Sequence, residues 1–323
     1  MVVDSQVAAR AGRGRDATGP SEIPLSGWRD ILWRIWYKID TDNLSVVAAG
    51  VAFFSLLGLF PLLAAIVSLY GLVADPVDVK RQLAYLYGVI PTDAIKILDD
   101  QLTTLTTKPK AELGIPLIGS LTLALWSSTQ GVKALMSSLN VIYAEAEKRS
   151  FFQFSVVALT FNLGAIIFLV LALTVIVAVP AVLSIIGLDR FSQNLLTLVW
   201  WPFLALTVMF GLAVLYRYGP SRNRARWRWV SWGAVFATIL WLAVSALFSF
   251  YVSRFADYDQ SYGSLGAAVI LLMWFYVSAF AVLLGAELNA EAEHQTIEDS
   301  TSGDPQPLGR RGARMADTIG KQP

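Results

Sequence analysis

Residues 44–74 contain no Asp, Glu, Lys, Arg or His. A helix of about 20 apolar residues crosses the hydrocarbon core of a bilayer, and it satisfies its own backbone hydrogen bonds while doing so. Five more stretches share this character: 113–130, 152–188, 195–216, 230–252 and 264–288. The expectation is an all-α, polytopic integral membrane protein with six transmembrane helices and amphipathic interfacial helices. Composition agrees, since 55% of the 323 residues are hydrophobic and only 15% are charged; soluble domains carry about a quarter charged residues.

The second stretch is short, with a clean apolar run of 14 residues at 113–126. By length alone it fits a re-entrant segment. Charge placement decides between the two. With six crossings and a cytoplasmic N-terminus, 18 of the 25 Lys and Arg residues fall inside and 7 outside. That is the bias the positive-inside rule requires. Without the second crossing, Arg217, Arg222, Arg224, Arg226 and Arg228 would face outward. Both termini are therefore expected in the cytoplasm.

Between the spans, 75–112 is 38 residues, long for a structureless loop. Val79, Leu83, Leu86 and Ile90 form one stripe; Ile95, Leu98, Leu102 and Leu105 form another. Two short external amphipathic helices are expected there. At 26–39, Trp28, Ile31, Leu32, Ile35 and Ile39 follow a helical period, bordered by Trp33, Trp36 and Tyr37. Arg29, Asp30, Arg34 and Lys38 take the other side. This pattern suits a helix in the headgroup layer or one packed on the bundle. Asp42-Asn43 is a candidate cap for the next helix. The polar tails, 1–25 and 291–323, are expected to be disordered.

No ionisable residue falls at the middle of a span; Lys133 and Glu287 lie near span ends. Buried charges are the usual marks of proton relays and ion-coupled transporters. The absence of cysteine excludes disulfides and thiolate metal sites, and the single histidine, His294, lies in the polar tail. No HExxH, nucleophile elbow or phosphate loop is present, and Asp99-Asp100 reads as a solvated face. The sequence thus offers no catalytic constellation and implies no cofactor. Pro61, Pro180 and Pro202 are candidate helix kinks. Small residues in the first span (Ala48, Ala49, Ala52) and the sixth (Gly266, Ala281, Gly285) suggest a close seam between those two helices.

The turn from Arg217 to Trp229 carries five arginines among aromatics. It serves as a topology anchor, or it binds anionic lipid headgroups, where each basic residue contributes about 1 kcal/mol. A net charge of +1 gives no general basis for nucleic-acid binding. The candidate headgroup set is Arg217, Arg222 and Arg224, with Asn140, Tyr143 and Glu287 as a polar inner rim.

Several motifs occur in order. Asp42-Asn43 is followed by Ala48-Ala49-Gly50-Val51-Ala52-Phe53-Phe54-Ser55-Leu56-Leu57-Gly58-Leu59-Phe60-Pro61. Then come Ser138-Leu139-Asn140-Val141-Ile142-Tyr143, Leu215-Tyr216-Arg217-Tyr218-Gly219-Pro220, Tyr262-Gly263-Ser264-Leu265-Gly266, Leu271-Leu272-Met273-Trp274-Phe275-Tyr276 and Leu284-Gly285-Ala286-Glu287-Leu288-Asn289. The set resembles the YihY/virulence factor BrkB family over residues 30–290. The resemblance implies six transmembrane helices in the bacterial inner membrane and supplies no catalytic mechanism, although the family has carried the label ribonuclease BN. Where relatives often have Pro-Gly after the basic turn, this chain has Ser231-Trp232-Gly233. The leading expectation is binding or transport of a lipid-like amphiphile, with membrane lipids as partners and no nucleic acid. A non-transporting scaffold or envelope-integrity factor is the alternative, a ribonuclease the least favoured. A second copy of the chain or an envelope protein is the further partner class considered.

Overall fold

The computed structural model describes residues 12–73, 114–186, 190–255 and 266–322. The segment 75–112, expected to form two external amphipathic helices, and the Tyr262–Leu265 motif lie outside these. The described chain is helical: α1 (Leu25–Thr41), α2 (Leu44–Val73), α3 (Gly114–Ile142), α4 (Phe151–Ile186), α5 (Arg190–Tyr218), α6 (Trp227–Phe255), α7 (Gly266–Glu293) and the short α8 (Arg314–Asp317). A long helix overlaps each of the six stretches expected to cross, and α3 runs without a break through 131–142.

By length and composition, Phe151–Phe168, Trp227–Val252 and Ala268–Glu293 are each able to cross a membrane. The helices Leu25–Thr41 and Leu44–Leu59 meet the same criterion only together, bent by 63° at their break, as a broken span or a re-entrant loop. Large apolar side chains on these helices point outward, among them Phe151 (83% exposed), Ile239 (63%) and Leu247 (67%). Water would penalise so broad an apolar surface, whereas lipid tails match it. Pro202 sits inside α5. The backbone is also helical at Pro61 and Pro180, whose side chains lie outside the described set.

The chain divides into two compact units. One comprises 48–134 and 244–279. Here α2 and α3 cross closely through small residues. A Cβ on Gly58 would lie 2.8 Å from the Ser128 Cα, and one on Gly131 would lie 3.5 Å from the Ser55 amide nitrogen. The Ser55 and Ser128 hydroxyls donate to carbonyls one turn back, Val51 and Ala124, at 2.8 Å each. These polar groups are thus satisfied within their own helices.

The other unit comprises 1–47, 135–243 and 280–323. Its apolar centre joins Ala17, Ile23, Ile31, Ile35, Trp229, Leu288 and Ala292. α1 therefore presents Ile31 and Ile35 inward while Leu32, Trp33, Trp36 and Tyr37 stay exposed. Arg34 and Asp30, expected on the outer face, are buried. Arg34 pairs with Glu291, and Asp30 accepts both of its bonds from Arg13, at 2.8 and 2.9 Å. α1 ends where Asn43 adopts a left-handed φ of 52°, a conformation that Asn tolerates. Asp42 accepts from Lys38 Nζ at 3.0 Å, so its carboxylate serves α1.

The described parts of the tails depart from the expected disorder. Residues 12–24 and 294–322 are packed against α1, the end of α7 and the basic turn. Arg15 donates to the carbonyls of Gln295 (3.0 Å) and Gly320 (2.8 Å). Thr296 Oγ1 donates to the carbonyls of Arg15 and Ala17, and Arg311 donates to four carbonyls. A composition rule counts apolar residues. It misses a segment ordered by charge-assisted hydrogen bonds to backbone carbonyls.

Candidate functional site

Three local devices shape the basic end of this unit. α3 stops at Tyr143 with Ala144 left-handed at φ 51°. The amides of Ala144 and Glu145 bond back to the carbonyls of Val141 (2.9 Å) and Asn140 (2.8 Å), a Schellman closure that turns the chain sharply. α4 starts from a reciprocal cap, in which Ser150 N donates to Gln153 Oε1 at 3.1 Å and Gln153 N to Ser150 Oγ at 3.3 Å. The turn after α5 is tied to the C-terminal segment: Arg226 N donates to Ser300 O and Ser302 N to Arg224 O, each at 2.8 Å.

Between these turns lies a cleft of about 750 Å³. Lys148 and Arg149 contribute from the α3–α4 turn; Val157, Thr160 and Phe161 from α4; Val214, Arg217 and Tyr218 from α5. Pro220 through Arg224 complete one wall, with Gly312 from the tail. The floor is apolar and the rim is cationic.

The cations are not equivalent. Lys148 pairs with Glu145 (2.8 Å) and Arg149 with Glu147 (2.7 Å). Arg222 pairs with Glu293 and lies over the Tyr143 ring, its guanidinium carbon 4.2 Å from the centroid. Burial works against the Arg222 charge, but Glu293 outweighs it and holds its pKa above the ordinary arginine value. Arg217 and Arg224 have no carboxylate in ion-pair range among the described residues. Arg217 is 4.6 Å from the Trp227 ring centroid and donates to Ser302 Oγ at 3.2 Å; Arg224 is 5.0 Å from the Tyr218 centroid. Stacking of this kind orients a guanidinium without neutralising it.

Of the six residues expected to form a headgroup rim, the structure brings Arg217, Arg222 and Arg224 to the cleft. Asn140 and Tyr143 support it from behind. Asn140 Oδ1 accepts from Ser221 N (2.7 Å) and its Nδ2 donates to Glu147 (2.8 Å), fixing the wall. Tyr143 is fully buried, and burial pushes its phenol above the ordinary range. Glu287 does not line the cleft; it is completely buried beside α1. Lys148 and Arg149 escaped the sequence reading, although a basic pair just before the Ser150–Gln153 cap was a visible signal. The tail residues Ser302 and Gly312 carried no such signal.

At Gly285, one of the small residues of the expected seam, the close partner is α6. Gly285 abuts Gly233, and Tyr216 donates to Val282 O at 2.7 Å. Asn289 grips the α6 backbone, accepting from Gly233 N at 2.7 Å and donating to Val230 O at 3.1 Å. Among the described residues, no three His, Cys, Asp or Glu side chains gather as metal ligands.

These helices, with their lipid-matched surface, define an integral membrane protein of the all-helical class. Comparison makes this specific: the chain belongs to the virulence factor BrkB family, whose sequence profile matches residues 35–308. It is 34% identical to the ribonuclease-like protein YfkH of Bacillus subtilis over 256 residues, covering 75% of this chain and 88% of that one. A UPF0761 membrane protein of Psychromonas ingrahamii is 30% identical over 265 residues, covering 80% and 86%. A second UPF0761 protein, from Pseudoalteromonas translucida, is 28% identical over 268 residues, covering 80% and 84%. No solved structure matches the chain.

Proposed function

We propose that the chain binds an anionic, lipid-like amphiphile in the basic cleft and carries it into or across the inner membrane. One observation carries this reading. Arg217 and Arg224 are cations without a carboxylate partner among the described residues, at the rim of a cleft whose floor is Val157, Phe161 and Val214. A phosphate headgroup needs the first feature and an acyl chain the second. The excess of Lys and Arg on this side of a six-crossing topology supports a cytoplasmic position for the cleft and both termini in this reading.

The test uses purified full-length protein in liposomes of mixed zwitterionic and anionic phospholipid. Retention of anionic lipid through purification, and movement of labelled lipid between leaflets, are the expected results. Folded protein that retains no anionic lipid rejects the binding reading. Retention without movement favours a scaffold. The ribonuclease-like name of the Bacillus subtilis relative supplies a control: RNA hydrolysis by the same preparation, surviving H294A, would replace the proposal with an enzymatic one.

A further inference from the structure

Glu287 is the part of the Gly285–Asn289 motif that packing leaves unexplained. Gly285 allows close approach to α6 and Asn289 grips the α6 backbone, but Glu287 has no such task. Its side chain is completely buried, and neither carboxylate oxygen has a hydrogen-bond partner. The titratable groups that face it are Lys38 and Asp42 from the end of α1, Tyr143 from the end of α3, and Glu291 one turn along α7. The nearby cations are already engaged: Lys38 Nζ donates to Asp42 at 3.0 Å, and Arg34 pairs with Glu291.

An ionised Glu287 would add a third carboxylate to this enclosure with no donor of its own. Burying such a charge without a donor is strongly unfavourable. A neutral carboxyl costs much less. Because its oxygens have essentially no accessible surface, no water-sized ligand reaches them. A proton does.

Two more titratable groups stand on the same helix face, in order toward the surface. Glu287, Glu291 and His294 stand at i, i+4 and i+7, positions that align on one side of a helix. His294 Nδ1 is 3.5 Å from Glu291 Oε2, and its side chain is 19% exposed. We propose that Glu287 is a proton-binding site, loaded at neutral pH, which exchanges its proton with solvent through Glu291 and His294. On release, rotation of the Glu287 side chain brings its carboxyl to the unpartnered Oε1 of Glu291; the proton passes there, then to the unpartnered Nδ1 of His294, and from that ring to water. The carboxylate left behind competes with Asp42 for Lys38, next to the left-handed Asn43 and the bend into α2. The site is separate from the cleft and does not depend on what the cleft binds.

Infrared spectroscopy of the full-length protein in lipid nanodiscs tests this. At neutral pH a protonated-carboxyl C=O band is expected, shifted by 13C-glutamate labelling in the wild type and absent in E287Q. Glutamine is close in shape to the neutral acid, so E287Q should unfold at nearly the wild-type temperature. Hydrogen–deuterium exchange of the band should slow about tenfold or more in H294A, the scale lost with a positioned proton carrier. A labelled wild type without the band at neutral pH overturns the site. A band that persists in folded E287Q does the same. Unchanged exchange in H294A overturns the route.

Discussion

Arg222 and Glu293 form a bidentate ion pair, Nη2 to Oε1 at 2.7 Å and Nη1 to Oε2 at 3.0 Å, with both side chains fully shielded from solvent. The pair joins the basic turn to the end of α7. Ser300 Oγ donates to the same Glu293 at 2.8 Å, so the C-terminal segment closes over it. Removing one partner strands the other charge. R222M or E293Q is expected to lower stability by about 3–5 kcal/mol, whereas R222M/E293L, which removes both charges, recovers most of that loss. Denaturant titration in detergent micelles checks this. Similar losses in the single and double variants would deny the pair its role.

Arg217 and Arg224 differ from Arg222 because no carboxylate among the described residues balances them. Their charge is available to a ligand, and their removal leaves no buried partner behind. R217Q and R224Q are each expected to weaken anionic-lipid retention about fivefold, from about 1 kcal/mol per cation near a charged headgroup. Thermal stability and binding of zwitterionic lipid should hardly change. Quantifying copurified lipid by mass spectrometry checks it, and equal loss of both lipid classes would mean that packing was damaged.

Gly285 and Gly233 let α6 and α7 touch. A Cβ at Gly285 would lie 2.6 Å from the Ala237 Cβ and 2.7 Å from the Tyr216 hydroxyl. G285A should therefore cost about 1–3 kcal/mol through overpacking. G50A is the contrast, since nothing lies within 4 Å of a Cβ at Gly50. Unfolding temperatures of the two variants, measured side by side, decide the point; equal values would contradict the close approach.

The long apolar helices were legible because burial in lipid imposes length and apolarity on each helix separately, and both appear in a linear reading. Arg217, Arg222 and Arg224 were legible for a related reason: five arginines in one turn form a local signal. The pairing choices were not. Whether Arg222 stays free or is taken by Glu293, 71 positions away, depends on tertiary approach. Arg15, Arg34 and Arg311 looked like solvated charges, yet they are the donors that order the tails. Gly285 could be recognised as a packing glycine, but its partner could not, because every helix here offers small residues.

Arg311 gives the tail its order. Its guanidinium donates to the carbonyls of Gln306 (3.1 Å), Glu298 (3.0 Å), Ala316 (2.7 Å) and Ile297 (2.6 Å). R311A leaves those buried acceptors without a donor, and lysine cannot reproduce the fork. Limited proteolysis is expected to spare residues 300–322 in the wild type and to cut there in both R311A and R311K. Rapid cleavage of the wild-type tail under the same conditions would show that this segment is not held.

Glu147 sets a pH dependence at the cleft wall. Partial burial raises its pKa, but hydrogen bonds from Arg149 and Asn140 outweigh that and bring it from 4.5 to about 2. A carboxylate with a depressed pKa stabilises the folded state above its unfolded pKa and ceases to do so as pH falls through the folded value. The contribution is therefore full above pH 4.5 and disappears by about pH 2. Because Glu147 is exposed, solvent screening keeps the effect small. E147Q should unfold at a lower temperature than the wild type at pH 6, and the gap should close steadily between pH 4.5 and 2. Paired melting curves across that range check it; a gap that stays constant with pH would mean that the Asn140–Glu147–Arg149 contacts act through shape and not through charge.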